Sequence, residues 1–208
     1  MNGILYDLIA KLSVERKVGP LRRELISALR GEIVAVGAGT GADFAYFAES
    51  AHVIALEPDP GMRRVAERKL PVAPARIELI GADDSYLDRL PAASVDAVLF
   101  TLCLCSTADA ARTLTRVNRV LKPEGKIVVI EHVRSPGLGG LIEDVLTPYW
   151  RRLFNNCHLN RETEQILADA GFDVSALRAL PRSMPKIVYG VAPRSSAARA
   201  EKASSVSR

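Results

Sequence analysis

From about residue 32 onward, short apolar runs alternate with stretches of helical period. EIVAVG (32–37) reads as a buried strand and DFAYFAES as the helix after it. HVIALEP (52–58) and GMRRVAERKL repeat the pair, and ARIELIG (75–81), SVDAVLFTL (94–102) and GKIVVIEHV (125–133) are further strands. Between the last two, ADAARTLTRVNRVL sets Ala111, Leu114, Val117, Val120 and Leu121 on one helix face, and the turn at Pro123, Glu124 and Gly125 ends it. Consecutive strands separated by helices pair in parallel, so the chain should form a doubly wound, mostly parallel α/β sheet. The end departs from this pattern. After RETEQILADAG, the strand-like runs FDVSALRAL and KIVYGVA are joined only by PRSMP. A link that short permits a hairpin but no parallel crossover, so the last two strands should be antiparallel. Residues 137–160 form the one insertion-like segment.

The 208 residues suit one sizeable domain, and no apolar run approaches the roughly 20 residues of a membrane span. The N-terminus lacks the apolar core and cleavage site of a secretory signal, so a cytoplasmic chain is expected. Its net charge of +4 is not a nucleic-acid signal. Residues 193–208 hold four basic residues and one acidic one, which leaves the remainder at +1. Basic residues interleaved with aromatics are also missing, so no nucleic-acid partner is expected. That polar, Ala/Ser-rich tail should be disordered. Three cysteines, with Cys103 and Cys105 two apart, do not supply the four spaced ligands of a zinc site. They are read as reduced, partly buried thiols, and no metal is expected.

The loop VGAGTGAD (36–43) follows the first strand directly. Gly37, Gly39 and Gly41 allow a tight turn and close approach to a ligand, and a helix just after them would aim its amides at the same place. Glu57, at the end of the second strand, can accept hydrogen bonds from a ribose diol. A dinucleotide and an adenosyl sulfonium both carry that ribose. The choice between hydride and methyl transfer therefore rests on the rest of the chain. A dinucleotide fold would continue with a second parallel half, whereas this chain closes with a hairpin and shows no Tyr-x-x-x-Lys set.

VGAGTGADF, VIALEPDPGM, VDAVLFTLCLCS, VNRVLKPEGKIVVIEHV and the final KIVYGVA together resemble the ordered motifs of class I S-adenosylmethionine-dependent methyltransferases. The resemblance covers about residues 4–192. It implies a seven-stranded sheet with an antiparallel last strand, and S-adenosylmethionine as cofactor. It also implies a methyltransferase domain over 31–192, preceded by lid or membrane-facing helices over 1–30. Gly37, Gly39, Thr40 and Gly41 would line the methionine and ribose, Glu57 would hold the diol, and Pro58 and Met62 would flank the adenine. Asp83 and Asp84 compete for the adenine amino group. Thr101, Leu102 and Cys103 would pass beside the sulfonium, and Tyr6 would lie over the cofactor.

Within the class, FTLCLCS, IEHVRSP and NNCHLNRET (155–163) are similar to the ubiquinone/menaquinone-type methyltransferases, and more so to the small alkyl-thiol methyltransferases. The acceptor is then a small or lipophilic molecule: thiols rank first, followed by phospholipid amines and by quinols or natural-product rings. Glu131 and His132 end the fifth strand beside the expected methyl position, and their side chains point to opposite faces. His132 is a candidate base or a hydrogen-bonding support behind the site, and His158 and Arg161 are candidates to cap the acceptor pocket or to fix the 137–160 segment. Methyl transfer from a sulfonium needs no covalent enzyme intermediate, so no cysteine is assigned as nucleophile. Ile4, Leu5, Leu8, Ile9 and Leu12 form an apolar helical face beside Lys11, Arg16 and Lys17. Residues 4–17 could thus cover the cofactor pocket or rest on an anionic membrane.

Overall fold

The computed structural model describes residues 15–153, 156–181, 183 and 185–196. Seven strands form one sheet: β1 (Gly31–Val36), β2 (Ala51–Leu56), β3 (Arg76–Ile80), β4 (Val95–Thr101), β5 (Leu121–Val133), β6 (Arg178–Ala179) and β7 (Lys186–Pro193). Their order is β3-β2-β1-β4-β5-β7-β6. The first five pair in parallel, β7 runs antiparallel to β5, and β6 runs antiparallel to β7. The expected α/β sheet and its C-terminal hairpin are both present. Among the described residues five α-helices accompany it: α1 (Glu15–Ile26), α2 (Pro60–Glu67), α3 (Ala110–Val120), α4 (Leu138–Leu153) and α5 (Thr163–Asp169).

A sheet covered on both faces needs apolar residues at odd and even positions alike. Ile33 and Ala35 pack with Val53, Ala97, Leu99 and Val128 under Val18, Leu21, Leu25 and Ile26 of α1. Val34 and Val36 face the other way, with Val98, Phe100, Ile127 and Val129 under Leu114, Val117 and Val120 of α3. Because α1 is part of the first core, residues 15–26 belong to the domain and 30/31 is no structural boundary. The domain also runs past residue 192. Arg194 is buried, its guanidinium bonds Asn118, and the Ser195 amide donates to the Gly171 carbonyl. The expected tail therefore starts later than 193, and residues 197–208 lie outside the described residues. No helix among the described residues is long and apolar enough to cross a membrane.

Several local expectations shift. DFAYFAES forms only a 3-10 turn at Phe44–Tyr46, because Asp43 makes no capping bond there and its carboxylate instead meets Arg22. The α3 face is Ala110, Thr113, Leu114, Val117 and Val120, while Ala111 is exposed. Leu121 already belongs to β5, and a register shift between Val95 and Ala97 accommodates the Pro123 region as irregular strand. FDVSALRAL keeps just two strand residues and one bridge, from Phe172 to Arg194. An Asx-type bond from the Ser175 amide to Asp173 bends the rest. The insertion-like segment is mostly α4. Leu138, Leu141, Ile142, Val145, Leu146 and Tyr149 make a solvent-facing apolar row along it.

Candidate active site

The strand order reverses between β1 and β4, and the crevice beyond the strand ends at such a point is where open α/β sheets bind ligands. The loops after these two strands touch. Cys103 Sγ donates to the Val36 carbonyl at 2.8 Å, and a Cβ on Gly37 would stand 2.6 Å from the Cys103 Cβ. Gly37, Gly39 and Gly41 have φ of +66°, +58° and +70°, a region side chains avoid. Gly41 is closed in: a Cβ there would lie 2.8 Å from the Phe44 ring and 3.2 Å from Ala66 Cα. Gly39 opens on space, with Met62 Sδ the nearest atom at 3.9 Å. Thr40 is buried beside them, and Arg22 Nε, 2.6 Å from Asp43 Oδ1, ties α1 to the loop's far end.

Glu57 is buried just past β2. Its Oε2 accepts from the Gly39 amide and its Oε1 from the Asp59 amide, both at 2.8 Å. Burial pushes its carboxyl above the usual range, and those two amides pull against it. A carboxylate offers about four lone-pair sites, so acceptor capacity remains on each oxygen. Asp59 caps α2 through the Gly61 and Met62 amides, with Pro60 in the first turn, and this seats the buried Met62 near the loop. Pro58 is exposed. The Glu57 amide bonds the Ile80 carbonyl, bringing residues 81–84 alongside. There the two aspartates part. Asp84 Oδ2 accepts from Thr113 Oγ1 at 2.8 Å and Arg116 Nη1 at 2.6 Å, which commits it to α3. Asp83 stays exposed, and its bonds from the Ser85 hydroxyl and amide hold its carboxyl below the usual range.

The other wall starts where β4 ends at Thr101. Leu102 takes φ +54°, and the amides of Cys103 and Leu104 then both donate to Glu131 Oε1 at 2.7 Å. Glu131 is fully buried, which raises its carboxyl, so it shapes this turn. His132 makes a separate contact: its Nε2 lies 2.8 Å from Cys157 Sγ, which is 3.8 Å from Cys105 Sγ. Burial would lower the imidazole, but the bond to Cys157 and the charges of Cys157 and Glu131 raise it. The Cys105 hydrogen bond, followed by His132, brings the Cys157 thiol down. The His158 amide donates to the Cys105 carbonyl, and Arg161 Nη1 donates to the Leu104 carbonyl at 2.7 Å and Thr107 Oγ1 at 3.1 Å. Residues 156–161 are thereby fastened to the turn after β4.

Residues 34–129 match the methyltransferase domain family model. The thiol S-methyltransferase TMT1B of Rattus norvegicus is 31% identical over 180 residues, covering 80% of this chain and 73% of that protein. The chain is a class I S-adenosylmethionine-dependent methyltransferase. Thiol S-methyltransferase TMT1A of Homo sapiens is likewise 31% identical, over 73% of this chain and 67% of its own length. Demethylmenaquinone methyltransferase of Clavibacter sepedonicus is 33% identical over 62% of this chain and 50% of its own. Among solved structures, the fold is shared with the 1,6-didemethyltoxoflavin-N1-methyltransferase of Burkholderia thailandensis, which holds S-adenosylhomocysteine. Its TM-score is 0.61 at 21% identity, with 91% of this chain and 83% of that chain covered.

The methyltransferase's own residues fit the cofactor. Gly39 leaves a space that any Cβ would enter, and Glu57 faces the loop with lone pairs to spare. S-adenosylmethionine supplies an electrophilic methyl group and a neutral thioether leaving group. Of the residues marked in the sequence, Gly37, Gly39, Thr40, Gly41, Glu57, Met62 and Cys103 converge around the crevice. Tyr6 lies outside the described residues. Thr101 ends its strand with Oγ1 buried and unpaired among the described residues. Glu131 Oε1 and Arg161 Nη1 bond the turn after β4, while Glu131 Oε2 is buried with no hydrogen-bond partner among the described residues. Sequence reasoning missed the Arg22–Asp43 pair and Asp59, although Asp-Pro before a helical run is an N-terminus signal. It also missed Cys105, for which no local signal exists.

Proposed function

We propose that this methyltransferase S-methylates a thiol carried on a small or lipophilic acceptor. The observation that carries the reading is the His132 imidazole at the carboxyl end of β5. It is 9% exposed, and its Nδ1 is buried with no hydrogen-bond partner among the described residues. A thiol needs only to lose its proton to become a strong nucleophile near neutral pH. In this reading the acceptor S–H gives its proton to His132, and the sulfur forms its bond to the methyl carbon as the carbon–sulfonium bond breaks. The electron pair of that bond stays on the leaving sulfur, and the proton passes on to water. The enzyme's part is alignment and exclusion of water. The relatives named as thiol S-methyltransferases support the same acceptor.

An acceptor panel of alkyl thiols, phospholipid amines and quinols, read by product mass, tests this. Methylated thiol is expected; transfer only to an amine or a quinol carbon overturns it. Residues 4–17 carry a further proposal, peripheral contact of the chain with an anionic membrane; residues 4–14 lie outside the described residues. A chain lacking residues 1–14 should lose co-sedimentation with anionic vesicles, and unchanged sedimentation refutes the contact.

A further inference from the structure

We propose that Cys105, His132 and Cys157 form a Zn(II) site with three protein ligands, whose fourth position takes the acceptor thiolate. The fourth-position role rests on the thiol reading above, whereas the metal site itself does not. The three residues come from different parts of the fold: the turn after β4, the end of β5 and the segment before α5. Their ligand atoms nonetheless all lie within 4.8 Å of one another.

One edge of the triad already has the tetrahedral length. With Zn–S bonds of about 2.3 Å, two sulfurs of a tetrahedron stand about 3.8 Å apart. Cys105 Sγ and Cys157 Sγ are 3.8 Å apart. The ideal sulfur–nitrogen edge is about 3.5 Å, whereas Cys157 Sγ and His132 Nε2 are now in hydrogen-bond contact at 2.8 Å. Metal entry replaces that hydrogen bond and asks Cys157 to withdraw by roughly 0.7 Å, and it brings Cys105 Sγ and the His132 nitrogen, which lie within 4.8 Å of each other, to an edge of about 3.5 Å through small side-chain rotations.

The chemistry of the donors agrees with the geometry. Two thiolates and an imidazole suit a borderline-soft ion, and three protein ligands with one position open is the catalytic rather than the structural pattern. The cluster also borders on solvent: Cys105 is fully buried, but Cys157 and His132 retain 8% and 9% exposure. Cys105 follows two residues after Cys103, whose sulfur touches the glycine loop. The cluster therefore lies at the same end of the sheet as the glycine loop.

Loading the site displaces two protons in all from Cys105, Cys157 and His132, and these leave to water. With the metal bound, His132 is a ligand and no longer the base, and an acceptor thiol gives up its proton to water as it takes the fourth position. Its sulfur bonds the methyl carbon as the carbon–sulfonium bond breaks and leaves its electron pair on the departing sulfur. The resulting thioether is a weaker ligand than a thiolate and dissociates.

The test uses the full chain, stripped of metal by dialysis against a chelator under reducing conditions. Zn(II) titration by calorimetry and elemental analysis should give one ion per chain. Co(II) loading should give tetrahedral ligand-field bands with thiolate charge transfer. The C105S/C157S double variant should bind more than about 100-fold more weakly, beyond the cost of losing an outer-sphere partner. S-adenosylhomocysteine binding and circular dichroism of that variant serve as controls of folding. Absence of bound Zn(II) in the folded chain, or unchanged affinity in the folded variant, overturns the metal site. If that variant does not fold, H132Q read by the same Co(II) bands takes its place, and unchanged bands overturn the site. An alkyl thiol should shift the Co(II) bands, and metal removal should lower thiol methylation at least about tenfold. If the metal binds while thiol methylation proceeds equally without it, the fourth-position role falls and the thiol reading stands. If the metal binds but no thiol is methylated, the thiol reading falls and the metal site stands.

Discussion

The glycine loop contains two positions with similar backbone strain and different surroundings, so the pair Gly39→Ala and Gly41→Ala separates folding from cofactor binding. Both have positive φ, +58° and +70°, and holding an alanine there costs about 1–2 kcal/mol. At Gly41 the new Cβ would also stand 2.8 Å from the ring of Phe44, which is 1% exposed and has nowhere to swing, and 3.2 Å from the Ala66 backbone. Overpacking of this kind adds about 1–3 kcal/mol, for a total of about 2–5. In a chain of this size each kcal/mol moves Tm by about 2–4 °C. At Gly39 no atom lies closer than Met62 Sδ at 3.9 Å, so only the backbone cost applies. Its methyl group instead fills the space over the loop, and affinity for S-adenosylhomocysteine should fall at least tenfold, about 1.4 kcal/mol. Urea unfolding reads the first quantity and calorimetric titration the second. If Gly39→Ala binds S-adenosylhomocysteine like the parent chain, or unfolds as readily as Gly41→Ala, the assignment of this loop as the cofactor seat is wrong.

Glu57→Gln replaces one carboxylate oxygen by an NH2 that faces an amide donor of Gly39 or Asp59. One buried hydrogen bond is lost, about 1–3 kcal/mol, and S-adenosylhomocysteine should bind about 10–100-fold more weakly by calorimetry. Asp84→Ala strips Arg116 and Thr113 of a partner and should cost stability, about 1–3 kcal/mol in urea, with cofactor affinity retained. Asp83→Ala should do the reverse, weakening S-adenosylhomocysteine with little change in unfolding. Equal effects of the two on both assays would contradict their separation. His52 lies between Glu32 at 2.7 Å and Glu78 at 3.2 Å, and the bond to Glu32 leads in raising it above its ordinary 6.5. A folded value above the unfolded one stabilises fully below the unfolded pKa and is lost as pH rises through the folded one. Unfolding free energy should therefore carry a decline above about pH 6.5 that His52→Gln removes, under about 1 kcal/mol at this partly exposed site. Parallel profiles for parent and variant would refute it.

The sheet was legible in the chain because its signals are local. Val34 and Val36 on one face, and Ile33 and Ala35 on the other, are both buried. The apolar run that reports a doubly covered parallel strand is simply their sequence. The glycine loop and Glu57 were equally plain, since a turn needs its glycines next to its strand. The short PRSMP link alone excluded a parallel finish. Helix placement was less legible. DFAYFAES has helical period, yet Asp43 is engaged by Arg22 from 21 residues away. FDVSALRAL has strand-like composition, yet an aspartate inside it captures a backbone amide and bends it.

The wall beyond the ends of β4 and β5 was decided by tertiary structure alone. Sequence placed Glu131 and His132 at a strand end but could not say what each would meet. Folding sends Glu131 to the amides of Cys103 and Leu104, and His132 to Cys157. Cys105 and Cys157 are 52 residues apart in the chain, and His132 and Cys157 are 25 apart. No spacing rule joins them, because their separation is set by α3, β5 and α4 rather than by a local turn. They meet because β5 lies beside β4, and Arg161 and the His158 amide fasten the returning segment to the turn after β4. Local periodicity and turn chemistry thus determined the sheet and the cofactor loop. The company kept by the buried thiols and the imidazole was determined by strand order, which brings together residues that no local interaction links.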